Sequence, residues 1–387
     1  MQGFVATSKA ATGAEAGKEV AGKIAAGIQG AKIAMTYASC DYDSAEFLGA
    51  IAEALPGVPV VGNTSFTGII TNEGYIGGDT PFAGILALGG DDVVVGTAGS
   101  ARTDEGPRAI GARLAKEAIA AAGKDCAPAY WYMAASPAEE EYYIKGVTEV
   151  IGRVPFFGGS AADNSIAGEW MLYAGTDAFA DGCVIAFFYT DAPFANKFTG
   201  AYAETDKFGV VTKMDGDRGI AEIDGKPALQ VYADWRGMDV SQLMGGDLLV
   251  ASIVAPLGVK DRLGDLTAIR HPMNGNDDLS IAVGAKVVEK TAIIMMDGDV
   301  DVLVNSVEKT AEELKEKAGF APAAYFFVHC GGRRAAIDAR IGEVADEFIA
   351  AAGDVPFLAE FTFGEYGYED DGLNATGGLM LSFTALG

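Results

Sequence analysis

The sequence predicts an α/β (α+β) fold: mixed β-sheets with helices packed on them, built from repeated strand–helix–strand–hairpin units. Three observations carry this expectation. First, one pattern occurs three times: an apolar run with a polar end, a helical stretch, and a second run opening on Val-Pro. The copies are KIAMTYASC (32–40) with VPVVGNTSF (58–66), AYWYMAAS (129–136) with VPFFGGSAA (154–162), and AYFFVHC (324–330) with VPFLAEFTF (355–363). Second, each copy continues into a further apolar, hairpin-like run, at 82–90, 182–190 and 377–386. Third, a helix of about twelve residues between two runs fits a right-handed crossover, which makes the flanking strands parallel neighbours. Such strands end on one sheet edge, where ligands sit in open α/β sheets. Cys40 is then expected to face 62–65, Ser136 to face 158–160, and Cys330 to face 360–365.

GFVATS (3–8) reads as the first strand. A helix over 14–29 follows, with Val20, Ile24 and Ile28 at four-residue spacing on one face. A second helix, 44–54, buries Phe47, Leu48 and Ile51 and stops before Pro56-Gly57. Strands are expected at 82–88 and 92–97. Pro107 opens a helix over 107–122, since its missing N–H would be unpaired in a first turn anyway. The helix over 138–151 begins with Glu139, Glu140 and Glu141, which suit the positive end of the helix dipole. Strands at 170–174 and 182–189 come next, and 190–209 reads as a linker or crossing strand. Alternating residues flank Asp224-Gly225, a two-residue hairpin signal because both turn positions take positive φ. A short helix over 227–236 follows. Further strands are expected at 248–254, 280–287 and 291–296. A helix is expected over 306–318, where Asn305 and Glu308 stand at capping-box spacing. The boundary between two domains, 1–210 and 211–387, is placed near 200–215.

The chain has 387 residues, enough for more than one core, and half of them are apolar. Its 28 Lys and Arg against 54 Asp and Glu give a formal charge of −26. Such a surface repels nucleic-acid backbones and anionic membranes and keeps the chain solvated. The opening MQGFVATSKAATG lacks a basic segment followed by an apolar block, and the uncharged windows are interrupted by Pro, Asn and Thr. A cytoplasmic protein is expected. Cys40, Cys126, Cys183 and Cys330 are scattered, and His271 and His329 are the two histidines. That composition argues against zinc, haem and disulfide frameworks, so neither metal nor cofactor is expected.

Several segments resemble FIST-domain proteins. VPFFGGSAADNS, WMLYAGTDAFADGCVIAFF and VPVVGNTSFTGII are similar to the N-terminal half of that family. IAEIDGKPALQVY looks like the opening of its C-terminal domain, and HCGGRR, FTFGEYG and LNATGG like its later motifs. The series runs in order from about 30 to 384. The resemblance implies a cytoplasmic sensory module in signal transduction that binds a small molecule such as an amino acid. Such a module would act alone or through a separate signalling protein as partner. The chain is expected to be a sensor and not an enzyme.

The candidate ligand residues lie at the strand tips. At Cys330, Gly331, Gly332 and Arg333 the glycines let a ligand approach the backbone, and Arg333 can fork onto a carboxylate. The alternative is a tight turn with a buried thiol. Glu365 after Gly364 can accept an ammonium group, or can form an internal ion pair; Asn374 belongs to the same loop. Asn63, Thr64, Ser65, Gly159 and Ser160 form polar tips that also fit plain β-turns. Asp297, Asp299, Asp301 and Glu308 imitate a calcium loop, but Val302 stands where its turn glycine belongs. The rival to a sensor is a thiol-dependent hydrolase or transferase using Cys330 and Glu365. Adjacent strand residues point oppositely, so His329 does not serve Cys330 as a base.

Overall fold

A computed structural model describes residues 1–260, 265–370 and 374–387; Leu373 of the late LNATGG motif lies outside them. Among the described residues the strands form three six-stranded sheets and one eight-stranded sheet. At the centre of each six-stranded sheet lies one of the expected parallel pairs. These are Ala31–Ala38 with Val60–Thr64, Tyr130–Ala135 with Phe156–Ser160, and Ala324–Cys330 with Phe357–Thr362. The apolar runs that follow, Ala83–Gly89, Gly182–Thr190 and Leu381–Leu386, pair antiparallel on the other side of each first strand.

The hairpins do not complete their own sheets. The hairpin of Gly68–Thr71 and Gly74–Gly77 adds to the third sheet, on Phe357–Thr362. That of Leu172–Ala174 and Asp177–Phe179 adds to the first, on Val60–Thr64. That of Glu365–Tyr368 and Asn374–Gly377 adds to the second, on Phe156–Ser160. Gly62 and Gly158 permit the close approach of strands before the first two departures. Both have positive φ, +148° and +136°, and a side chain on either would begin 1.9 Å from a neighbouring carbonyl oxygen.

The inner faces of the three sheets share one apolar cluster that includes Met35, Tyr37, Tyr132, Phe157, Phe326 and Leu358. Each outer face is covered by two helices: Gly13–Gly27 with Ser44–Ala54, Pro107–Ala121 with Glu140–Ile151, and Val300–Ala318 with Ile341–Ala352. The fourth sheet and the helix Ala228–Arg236 form a separate cluster around Ile220, Tyr232, Leu257 and Ile293. This unit lies in the chain between the strand Phe194–Thr199 and the helix Val300–Ala318. Its opening strand, Ala203–Asp215, runs unbroken through the expected boundary region. The hairpin turn forms as expected, with Asp224 at φ +50° and Gly225 at +74°.

Three of the expected elements differ, and one open reading is decided. The apolar segment 248–254 is not a strand; it holds the helix Asp247–Ala251, since a short apolar run carries no decisive period. Only Ile281–Val283 of 280–287 is strand. Of the linker or crossing strand expected over 190–209, the structure has strand: Phe194–Thr199 and the start of Ala203–Asp215. Finally, the helix expected from 306 begins at Val300, capped by Asp299, whose carboxylate accepts from Val302 N at 2.8 Å. The acidic run is therefore a helix start, and Asn305 is inside the helix.

Candidate functional site

A cavity of about 560 Å³ lies where the tips of the three sheets meet the inserted unit. Each central strand pair contributes residues just beyond its end: Phe66, Pro137 and Ala138, Cys330 to Gly332, and Phe363. The inserted unit adds Leu249, Ile253, Met273 and Val283. Phe66, Trp170 and Phe363 build an aromatic wall, with Phe363 5.7 Å from Phe66 and 6.1 Å from Trp170 between ring centres. The charged or titratable side chains on the lining are Arg218, His271 and Cys330.

Trp170 closes a loop organised by one buried carboxylate. Asp163 accepts from the backbone N–H groups of Ser165, Ile166 and Ala167 through Oδ1, and from Gly168 and Glu169, each at 2.8 Å, through Oδ2. Ile166, also on the cavity wall, has φ +60°, which is strained for a β-branched residue.

Cys330 caps the helix Gly331–Ile337, so the segment weighed as a ligand-approach site or a tight turn is a helix start. Its Sγ accepts from Leu379 N at 3.2 Å, and Glu365 stands beside it. Burial pushes the thiol well up, and the nearby Glu365 carboxyl adds to this. Arg218 holds Glu140 and Glu141 at 2.6 Å each and donates to Gly284 O. It thereby joins the inserted unit to the helix Glu140–Ile151.

Cys330, Gly331 and Gly332 are the expected ligand residues found on the cavity lining. The others are not on the lining. Arg333 is fully buried and donates to Gly200 O at 2.8 Å, Leu303 O at 3.2 Å, Leu379 O at 3.5 Å and Ser306 Oγ. Its guanidinium is engaged by protein oxygens, so its expected fork onto a ligand carboxylate gives way to a framework role. Glu365 is also fully buried, accepting from Thr362 Oγ1 at 2.9 Å and Met380 N at 2.8 Å. Gly364 allows close packing, since a side chain there would begin 2.7 Å from Ser160 Oγ. Asn374 donates to Val154 O at 3.1 Å.

The first two tips are likewise tied into the frame. Asn63 Nδ2 donates to Glu360 Oε2 at 2.8 Å, and its Oδ1 accepts from Tyr132 OH at 3.2 Å. Thr64 Oγ1 accepts from Met171 N at 2.9 Å, and Ser65 Oγ donates to Gly68 O at 2.7 Å. Ser160 Oγ donates to Glu140 Oε1 at 3.0 Å and shares a 2.7 Å hydrogen bond with Tyr366 OH. A side chain on Gly159 would begin 2.5 Å from Thr362 Cγ2.

Burial pushes both Glu360 and Glu365 up to about 8, against the pull of their hydrogen bonds. In the unfolded chain each ionises near its ordinary value of about 4.3. Between these values the folded protein holds more protons, so stability falls as pH rises. The contribution is complete below about pH 4.3 and is lost as pH climbs through about 8. The expected result is a melting temperature that declines from pH 5 to 8, less steeply in Glu360→Gln. Identical slopes in variant and wild type would show that this carboxyl does not carry the effect.

The chain matches the FIST N domain over residues 32–226 and the FIST C domain over residues 228–368. No curated protein matches it. Among solved structures it is similar to the cyanuric acid hydrolase from A. caulinodans, at 10% identity and a TM-score of 0.40, over 100% of this chain and 99% of that one. A second cyanuric acid hydrolase structure aligns over the same shares of both chains, with 10% identity and a TM-score of 0.36. Together the two ordered domain matches span the parallel strand pairs, the inserted unit and most of the cavity wall: the chain belongs to the FIST family.

Proposed function

We propose that this protein is a sensing module that binds a small, largely apolar molecule in the cavity between the strand tips and the inserted unit. FIST domains are associated with sensing and signalling. The observation that carries the reading is the lining: aromatic and aliphatic walls with a few polar side chains, the usual make-up of a small-molecule site. An apolar or aromatic amino acid is one ligand of this kind. In this reading Cys330, Gly331 and Gly332 touch the ligand, while Arg333, Glu365 and Asn63 hold the walls. Residues 1–210 and 211–387 act as two parts in the cytoplasm, reporting to a separate protein without catalysis, metal or cofactor. Among the described residues no helix is long and apolar enough to cross a membrane.

A thermal-shift screen of amino acids, heterocycles and related metabolites tests the proposal. At least one compound is expected to stabilise the wild type, and Ala336→Phe, which fills the cavity from the helix Gly331–Ile337, is expected to lose at least about tenfold in affinity for it. Undiminished binding by that variant would place the ligand elsewhere.

The thiol-dependent reading rests on Cys330 lining the cavity with Glu365 beside it. Burial keeps that thiol protonated, which makes it a weak nucleophile. Rapid labelling of Cys330 by iodoacetamide near neutral pH would decide for this reading.

A further inference from the structure

His271 reads from sequence alone as a loop histidine beside Pro272. In the structure it lines the cavity and is only 5% exposed. Its Nε2 lies 2.9 Å from Leu249 O. A carbonyl oxygen can only accept, so Nε2 carries the proton. Burial lowers this imidazole to about 4, so the ring is neutral at physiological pH. A neutral ring protonated on Nε2 presents a lone pair on Nδ1. Among the described residues the ring makes its hydrogen bond through Nε2 to Leu249 O, which leaves Nδ1 open.

The charged and thiol side chains of the lining, Arg218 and Cys330, are already engaged. Arg218 is held between two carboxylates, which offset its charge toward an anion. Cys330 Sγ takes the Leu379 N–H and stands against Glu365. His271 is next to that thiol: a side chain on Gly332 would begin 3.6 Å from both Cys330 Sγ and His271 Cε1. His271 therefore brings an unpartnered acceptor to a lining that also includes Phe66, Trp170 and Phe363.

We infer that His271 accepts a hydrogen bond from the ligand through Nδ1, and that the ligand is an aromatic ring carrying its own N–H or O–H donor. This rests on the cavity being the sensing site. The aromatic wall stacks on the ring, and Nδ1 fixes its orientation. An isosteric ring without the donor would bury Nδ1 unpaired, which is the kind of mismatch that gives strong discrimination. A free heterocycle or phenol and the side chain of an aromatic amino acid share this chemistry.

The test compares indole with benzofuran, which has nearly the same shape but no donor, by calorimetry on the full chain. Wild type is expected to prefer indole by at least about tenfold, since a buried acceptor would otherwise lose its partner. Asparagine carries its polar atoms near the Nδ1 position, and glutamine near the Nε2 position. His271→Asn is therefore expected to keep the preference. His271→Gln, which retains the reach to Leu249 O, is expected to lose it while still binding benzofuran. An L-tryptophan arm separates an amino-acid source from a free heterocycle. Equal binding of indole and benzofuran by wild type would overturn the His271 inference and leave the cavity reading standing. Absence of binding by both would overturn the two together.

Discussion

Arg333→Ala is expected to destabilise the fold by about 3–5 kcal/mol, the range for removing one side of a buried charged network. Three carbonyls, from Gly200, Leu303 and Leu379, and the Ser306 hydroxyl lose their donor at once. They belong to different parts of the third sheet and its covering helix, so the loss is felt between elements. The guanidinium also lies over the Tyr202 ring, 5.6 Å from its centre, and that contact goes too. Arg333→Lys is not expected to restore stability, because a single ammonium lacks the fork that reaches oxygens on several sides. Urea denaturation at neutral pH measures the effect. A loss below about 1 kcal/mol, the size of an ordinary surface substitution, together with lost ligand binding would return Arg333 to a direct role in recognition.

Asp163→Ala is expected to melt the loop 164–169 and weaken ligand binding by at least about tenfold, because a hydrogen bond to a charged group contributes about 1.5–3 kcal/mol. The five N–H groups that converge on this carboxylate would be left to solvent, and nothing would hold Ile166 at its positive φ. Two cavity residues, Ile166 and Trp170, would move with the loop. Hydrogen exchange should show rapid exchange at 164–169 with the three sheets still protected. Asp163→Asn, with one accepting oxygen, should fall between. Unchanged protection in Asp163→Ala would mean that the loop is held by its flanks.

The frame was readable because its signals are local. Val-Pro openings, apolar runs and crossover length place the three parallel pairs, and Asp224-Gly225 places a hairpin within a few residues of itself. The place of the cavity at the strand tips was readable with it, as Cys330, Gly331 and Gly332 show, but most of the lining was not, because its wall is assembled across the chain. Arg218 meets Glu140 across 78 residues, and Thr67 N donates to Asn164 Oδ1 across 97. Polarity at a strand tip also has two uses that a sequence does not separate. Asn63, Ser160 and Arg333 spend their hydrogen bonds on neighbouring strands and carbonyls, while Phe66 and Phe363, one residue past the polar tips, face the cavity. His271 offered no period or motif; only the carbonyl of Leu249 identifies its free nitrogen.

The hairpin exchange has a consequence for how the chain reaches this state. Each six-stranded sheet waits for a hairpin from another unit, in a cycle that returns to its start. The second sheet is complete only when Glu365–Tyr368 and Asn374–Gly377 have arrived, and Asn63 finds Glu360 across 297 residues. During synthesis the strand Phe156–Ser160 therefore stands as an open edge until Glu365–Tyr368 has been made. Contacts of such range are slow to form, and open edges invite pairing with other chains. Glu365–Tyr368 closes the ring over that edge, and Leu381–Leu386, which follows it, then covers Ala324–Cys330 and Phe194–Thr199.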